Sequence, residues 1–145
     1  MIYQPFLFEE NLWSATGVYI DDQGRYHPVA GETKITHTEG LWINDSRITL
    51  QGDHEVEYKT RYEIVPLERG QERTSWISEN PALGKMLGSF IIVDDSIISI
   101  FTSEDSAFQG TEYFRLIDDD LYSNRGCLLR GDKKISSWAV ELRKK

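Results

Sequence analysis

One stretch constrains the fold more than any other. From His54 to Val65, the residues His54, Val56, Tyr58, Thr60, Tyr62 and Ile64 alternate with Glu55, Glu57, Lys59, Arg61 and Glu63. Successive side chains of a strand point to opposite faces, so the period of two predicts a strand over 54–65, with one face buried and the other charged. Wound as a helix, the same residues would scatter their apolar groups around the whole cylinder. An antiparallel β domain is the direct reading.

The rest of the chain repeats that pattern between turn signals. Asp21-Asp22-Gln23-Gly24, Glu39-Gly40, Asn44-Asp45, Gly52-Asp53, Arg69-Gly70, Asp94-Asp95, Asp118-Asp119-Asp120, Asn124-Arg125-Gly126 and Gly131-Asp132 favour tight turns. Between them lie runs rich in Val, Ile, Thr, Tyr, Phe and Trp. They predict strands near 12–20, 25–29, 32–38, 46–51, 54–65, 71–77, 87–93, 96–102, 110–117, 121–130 and 134–143. Crossover helices, which a parallel sheet would need, are missing. The fold class is all-β: one domain over 1–145, an antiparallel up-and-down meander barrel of about 8–10 strands, with a sandwich as the alternative closure. At most a short helix is expected near 80–86. There Asn80 suits an N-cap and Pro81 a first helical position, although a wide loop fits the same residues.

Size and charge narrow the function classes. A chain of 145 residues buries a core without staples, and the single cysteine, Cys127, cannot form an internal disulfide. Cys127 lies between Gly126 and two leucines and reads as core. The net charge of −8 would repel a polyanion, so nucleic acid is a poor partner. No apolar run approaches the roughly 20 residues that span a bilayer, and Met1-Ile2-Tyr3-Gln4-Pro5 has no basic leader, so the expected compartment is the cytoplasm. The sequon Asn44-Asp45-Ser46 reads as a turn.

From Leu87 to Phe101 the pattern changes. Phe90, Ile92, Ile98 and Ile100 alternate with Ile91, Val93, Ile97 and Phe101, which makes both faces of this hairpin apolar. Strands of that kind need a cover. Two are available: the N-terminal segment Pro5-Phe6-Leu7-Phe8, or a second copy of the chain. A homodimer through the 87–101 hairpin is the expectation.

Chemistry-bearing motifs are sparse. His37 and Glu39 would share a face as a base and its orienter, but a strand-end histidine is more often a plain polar residue. His54 reads as exposed or capping, and His27, before Pro28, has no partner nearby in sequence. Three scattered histidines make no metal site, and the acidic runs Glu104-Asp105 and Asp118-Asp119-Asp120 lack calcium-loop spacing. No catalytic residue, metal or cofactor is predicted. The aromatic residues Trp13, Tyr19, Trp42, Tyr58, Tyr62, Trp76, Phe90, Tyr113 and Trp138 are spread over many strands. In a barrel they either fill the core or line a pocket for one small ligand. The candidate ligand-binding residues are Tyr58, Tyr62, Trp13 and Trp42, with Arg115 beside Tyr113 for an anionic head group.

The pattern resembles the calycin superfamily, which includes lipocalins, fatty-acid-binding proteins, nitrobindin-like proteins and lipocalin-like bilin lyases. The resemblance is architectural: Trp13-Ser14-Ala15-Thr16-Gly17-Val18-Tyr19 as a first strand, a meander of hairpins, and Ser137-Trp138-Ala139-Val140-Glu141-Leu142-Arg143 as a closing strand. The lipocalin G-x-W signature is absent, since Trp13 precedes Gly17, so lipocalin-specific residues are not carried over. Nitrobindin-like proteins hold haem through a late histidine, and here no histidine follows His54. The resemblance implies a barrel that binds a small hydrophobic or amphipathic molecule. The alternatives are a barrel enzyme of the cyclase, isomerase or lyase kind, and a solid barrel acting as an interaction module.

Overall fold

The computed structural model describes residues 2–145. Ten antiparallel strands follow one short helix, α1 (Pro5–Phe8): β1 (Leu12–Ile20), β2 (Tyr26–Thr38), β3 (Leu41–Leu50), β4 (Val56–Ile64), β5 (Arg73–Asn80), β6 (Gly84–Val93), β7 (Ser96–Ser103), β8 (Gln109–Asp118), β9 (Leu121–Arg130) and β10 (Lys133–Lys144). Each strand pairs with its sequence neighbours, and β1 closes on β10 through the register Trp13↔Lys144 to Ile20↔Ser137. The fold is therefore a closed antiparallel meander barrel of ten strands, and closure leaves no free sheet edge.

Several local expectations are revised. β2 runs unbroken through Gly31, where sequence suggested a break; a Cβ there would lie 2.0 Å from the Arg47 carbonyl oxygen. Glycine thus admits a close backbone approach at that point instead of making a turn. Asn44-Asp45 lies within β3 and not in a turn, with Asn44 buried and its Oδ1 accepting from the Thr33 hydroxyl at 2.9 Å. Near 80–86 there is neither a helix nor a wide loop. Asn80 Oδ1 accepts from the amides of Ala82 and Leu83, which folds a tight hairpin between β5 and β6. Among the described residues the one helix is α1, started by Pro5 at its first turn.

That helix plugs one end of the barrel. Phe6 points inward and stacks on Phe114 at 4.9 Å between ring centroids, with Trp13 and Tyr122 edge-on or tilted against it. The Tyr122 hydroxyl accepts from the Phe6 amide and donates to Gln4 Oε1 at 2.7 Å, while Gln4 Nε2 donates to the Asp94 carbonyl. His37 Nε2 lies 2.8 Å from the Leu7 carbonyl, an acceptor, so that nitrogen carries the proton. Its ring stacks on Trp42 at 3.9 Å. Because α1 occupies the barrel end, it does not cover the outer face of the β6–β7 hairpin. On that face Val93 is 49% and Ile100 54% exposed. Among the described residues no helix is long and apolar enough to cross a membrane.

Candidate functional site

Above the Phe6 plug the barrel is hollow. A cavity of about 440 Å³ runs along the axis toward the opposite end, which is rimmed by Leu50, Tyr58 and Leu83. Most of its wall is apolar, and a few polar groups converge on it, as in many small-molecule sites.

The hollow depends on a repeated glycine device. On β6, Gly88 lies between Trp76 of β5 and Phe101 of β7; a Cβ there would fall 2.2 Å from the Trp76 ring. On β8, Gly110 faces Phe101, whose ring occupies the space its Cβ would need. On β9, Gly126 lies between Glu112 of β8 and Trp138 of β10, and a Cβ would fall 2.3 Å from the Trp138 ring. Each missing side chain lets a neighbouring ring lie flat across a strand instead of projecting into the lumen. The rings line the wall and leave the axis open.

The third pair sets up the chemistry. With Gly126 bare, the Trp138 indole crosses β9 and donates from Nε1 to a Glu112 carboxylate oxygen at 2.7 Å. Glu112 lines the lumen from the level of Ser99 and Trp138, and the surface it retains borders that space. Burial pushes its carboxyl up to about 7, although hydrogen bonds from Trp138 and Asn124 favour the charged form. Tyr62 faces the same space, and burial together with the Glu112 charge raises its phenol. Tyr62 packs edge-on against Trp76 at 5.0 Å, and Trp76 continues to Phe90 and Phe101, each at 5.9 Å. The Trp76 Nε1–H is buried without a partner.

The sequence-predicted site residues separate into three groups. Tyr58 and Tyr62 line the lumen, Tyr58 at the rim with 46% of its surface exposed. Trp13 and Trp42 belong to the plugged end: Trp13 is fully buried beneath Phe6, and Trp42 is sandwiched by His37 and Phe8, so neither lines the cavity. Arg115 lies on the outer face, bonded to Asp95 at 3.1 Å, and cannot meet a ligand head group inside. The face of β8 that looks inward is Gly110, Glu112 and Phe114, opposite to Tyr113 and Arg115.

Other placements also differ. Cys127 faces outward between Thr111 and Ser137, half-buried and outside the core. His27 has a partner, Asp21, at 2.9 Å across the β1–β2 turn, and that bond leads the causes that lower the Asp21 carboxyl to about 2. His37 anchors α1, while Glu39 is exposed beyond the strand end, so the two form no acid–base pair. Sequence reasoning missed Glu112. Its signal was one acidic residue in the row Gly110, Glu112, Phe114, Leu116, which is otherwise free of charge.

No family model matches the sequence, and no curated protein matches it. Among solved structures, the S-type phycobiliprotein lyase CPES from Guillardia theta superposes with a TM-score of 0.66 over 94% of this chain and 88% of that one, at 8% identity. An N-terminal dehydratase from the difficidin assembly line (TM-score 0.29, 10% identity, 97% of this chain and 80% of that one) and a putative AttH from Nitrosomonas europaea (0.31, 10%, 92% and 50%) align too loosely to bear on the fold. The likeness to the lyase is one of fold alone.

Proposed function

We propose that this protein binds one small, largely apolar molecule inside its barrel. The observation that carries this reading is the 440 Å³ lumen, kept open by the ring-over-glycine packing of Trp76, Phe101 and Trp138. A barrel selected only for stability gains from a filled core, since each void costs dispersion and transfer energy. Native mass spectrometry of the purified protein, before and after mild denaturation, tests the reading. A released small molecule, or one-to-one uptake of the neutral dye Nile red that Phe101→Ala or Tyr62→Ala weakens, is the expected result. An empty protein that takes up no apolar probe removes it.

Glu112 favours a second reading, that of an enzyme acting on such a ligand. A carboxyl titrating near 7 in a cavity suits proton transfer. It stands alone, however: the other titratable lining groups are the phenols of Tyr19, Tyr58 and Tyr62. Binding without turnover is therefore the primary reading, and a bound molecule recovered chemically changed after incubation would reverse the order.

The outer face of the β6–β7 hairpin supports a homodimer. Leu87, Val93 and Ile100, with Tyr113 on β8, are exposed and α1 leaves them uncovered.

A further inference from the structure

We infer that the lumen is built for an organic cation: a protonated amine on a compact apolar body, its ammonium against Glu112 and its body against Tyr62, Trp76 and Phe101. This rests on the reading that the lumen binds a ligand, and it names the ligand's charge class.

Three observations carry it. First, Glu112 is the one acidic side chain on the described lumen wall, and no Lys, Arg or His lines that wall. An anionic ligand such as a fatty acid would bring a second negative charge beside the carboxylate with no cation to offset either. That arrangement is strongly unfavourable away from water. A cation, by contrast, supplies the missing partner. Second, Glu112 keeps room for one. An ionised carboxylate offers about four acceptor positions, and the indole of Trp138 and the amide of Asn124 supply the donors already in place. Third, the wall beside it presents the rings of Tyr62, Trp76, Phe90 and Phe101 in one continuous contact series. The faces of such rings attract cations and pack against apolar bodies. The acidic surface acts in the same direction over longer range, since a net charge of −8 concentrates cations around the molecule.

The groups facing Glu112 also set how this preference titrates. From β10 it meets Trp138, from β9 Asn124 and from β7 Ser99, while Tyr62 of β4 is the nearby phenol. None of these replaces it as a charge near neutrality. An amine that remains protonated throughout should thus lose its advantage as the solution is acidified and Glu112 takes up a proton.

Three naphthalene probes of nearly equal size test this: 2-(1-naphthyl)ethylamine, 2-(1-naphthyl)ethanol and 1-naphthylacetate. Calorimetry on the full chain at about pH 8 should find the amine at least ~10-fold tighter than the alcohol, and the alcohol tighter than the acid. Lowering the pH to about 5.5 should shrink the amine-to-alcohol ratio to roughly twofold or less in the unmodified protein, a measurement that needs no variant to fold. In Glu112→Gln the same ratio should be near one at both pH values. If the alcohol or the acid equals the amine at pH 8, the cation assignment is overturned while lumen binding stands. If none of the three binds, the binding reading itself fails, and this inference with it.

Discussion

Trp138 Nε1 donates to the Glu112 carboxylate at 2.7 Å across an intervening strand, because the residue between them, Gly126, has no side chain. Two strands that share no ladder are joined through this one side-chain hydrogen bond.

Gly126→Ala should break that link. The new Cβ would lie 2.3 Å from the indole, so the ring must swing into the lumen. We expect about 1–3 kcal/mol of destabilisation, together with a shift of the Trp138 indole N–H resonance. An unchanged resonance would show that the bond does not depend on the bare strand.

The pH dependence of stability follows from Glu112. Its folded value, about 7, lies above the ordinary glutamate value of 4.5, so the folded state holds a proton that the unfolded chain has already released. The favourable contribution is complete below pH 4.5 and is lost as pH rises through 7. The whole swing is at most about 3 kcal/mol. Glu112→Gln removes it, so urea melts should place the variant about 1–3 kcal/mol above the unmodified protein at about pH 8. At about pH 4.5 the two should lie close together.

Tyr122→Phe should loosen the plug. The buried hydroxyl serves both Gln4 Oε1 and the Phe6 amide, and its loss leaves both without that partner. A cost of about 1–3 kcal/mol is expected, with faster hydrogen exchange at Phe6 than at the paired strands. Exchange unchanged at Phe6 would argue that ring packing alone holds α1.

The exposed hairpin face predicts association. Light scattering should report a dimer at tens of micromolar, and Ile100→Lys should return a monomer with stability changed by less than about 0.5 kcal/mol, since Ile100 faces out. A monomer in the unmodified protein removes the dimer.

The strands themselves were legible in the sequence, because alternation with a period of two is local. Val56 to Ile64 forms a strand, and Tyr58 and Tyr62 share its inward face, as the alternation of that segment requires. Alternation also puts Arg115 on the face of β8 that carries Tyr113. What it left open is which face closure turns inward, for both rows carry aromatic and polar groups. The role of glycine was hidden for a related reason. Gly88, Gly110 and Gly126 matter only beside the rings of Trp76, Phe101 and Trp138, and cross-strand register between residues 9 to 12 apart creates those pairs. His37 and Pro5–Phe8 likewise met across 30 positions of sequence. The residues alone determined a meander of half-buried strands. Closure of β1 on β10 decided the rest: that the barrel is hollow, that the one carboxyl on its described lumen wall is Glu112, and that Arg115 stands outside, because the inside of a barrel is defined only once the sheet has met itself.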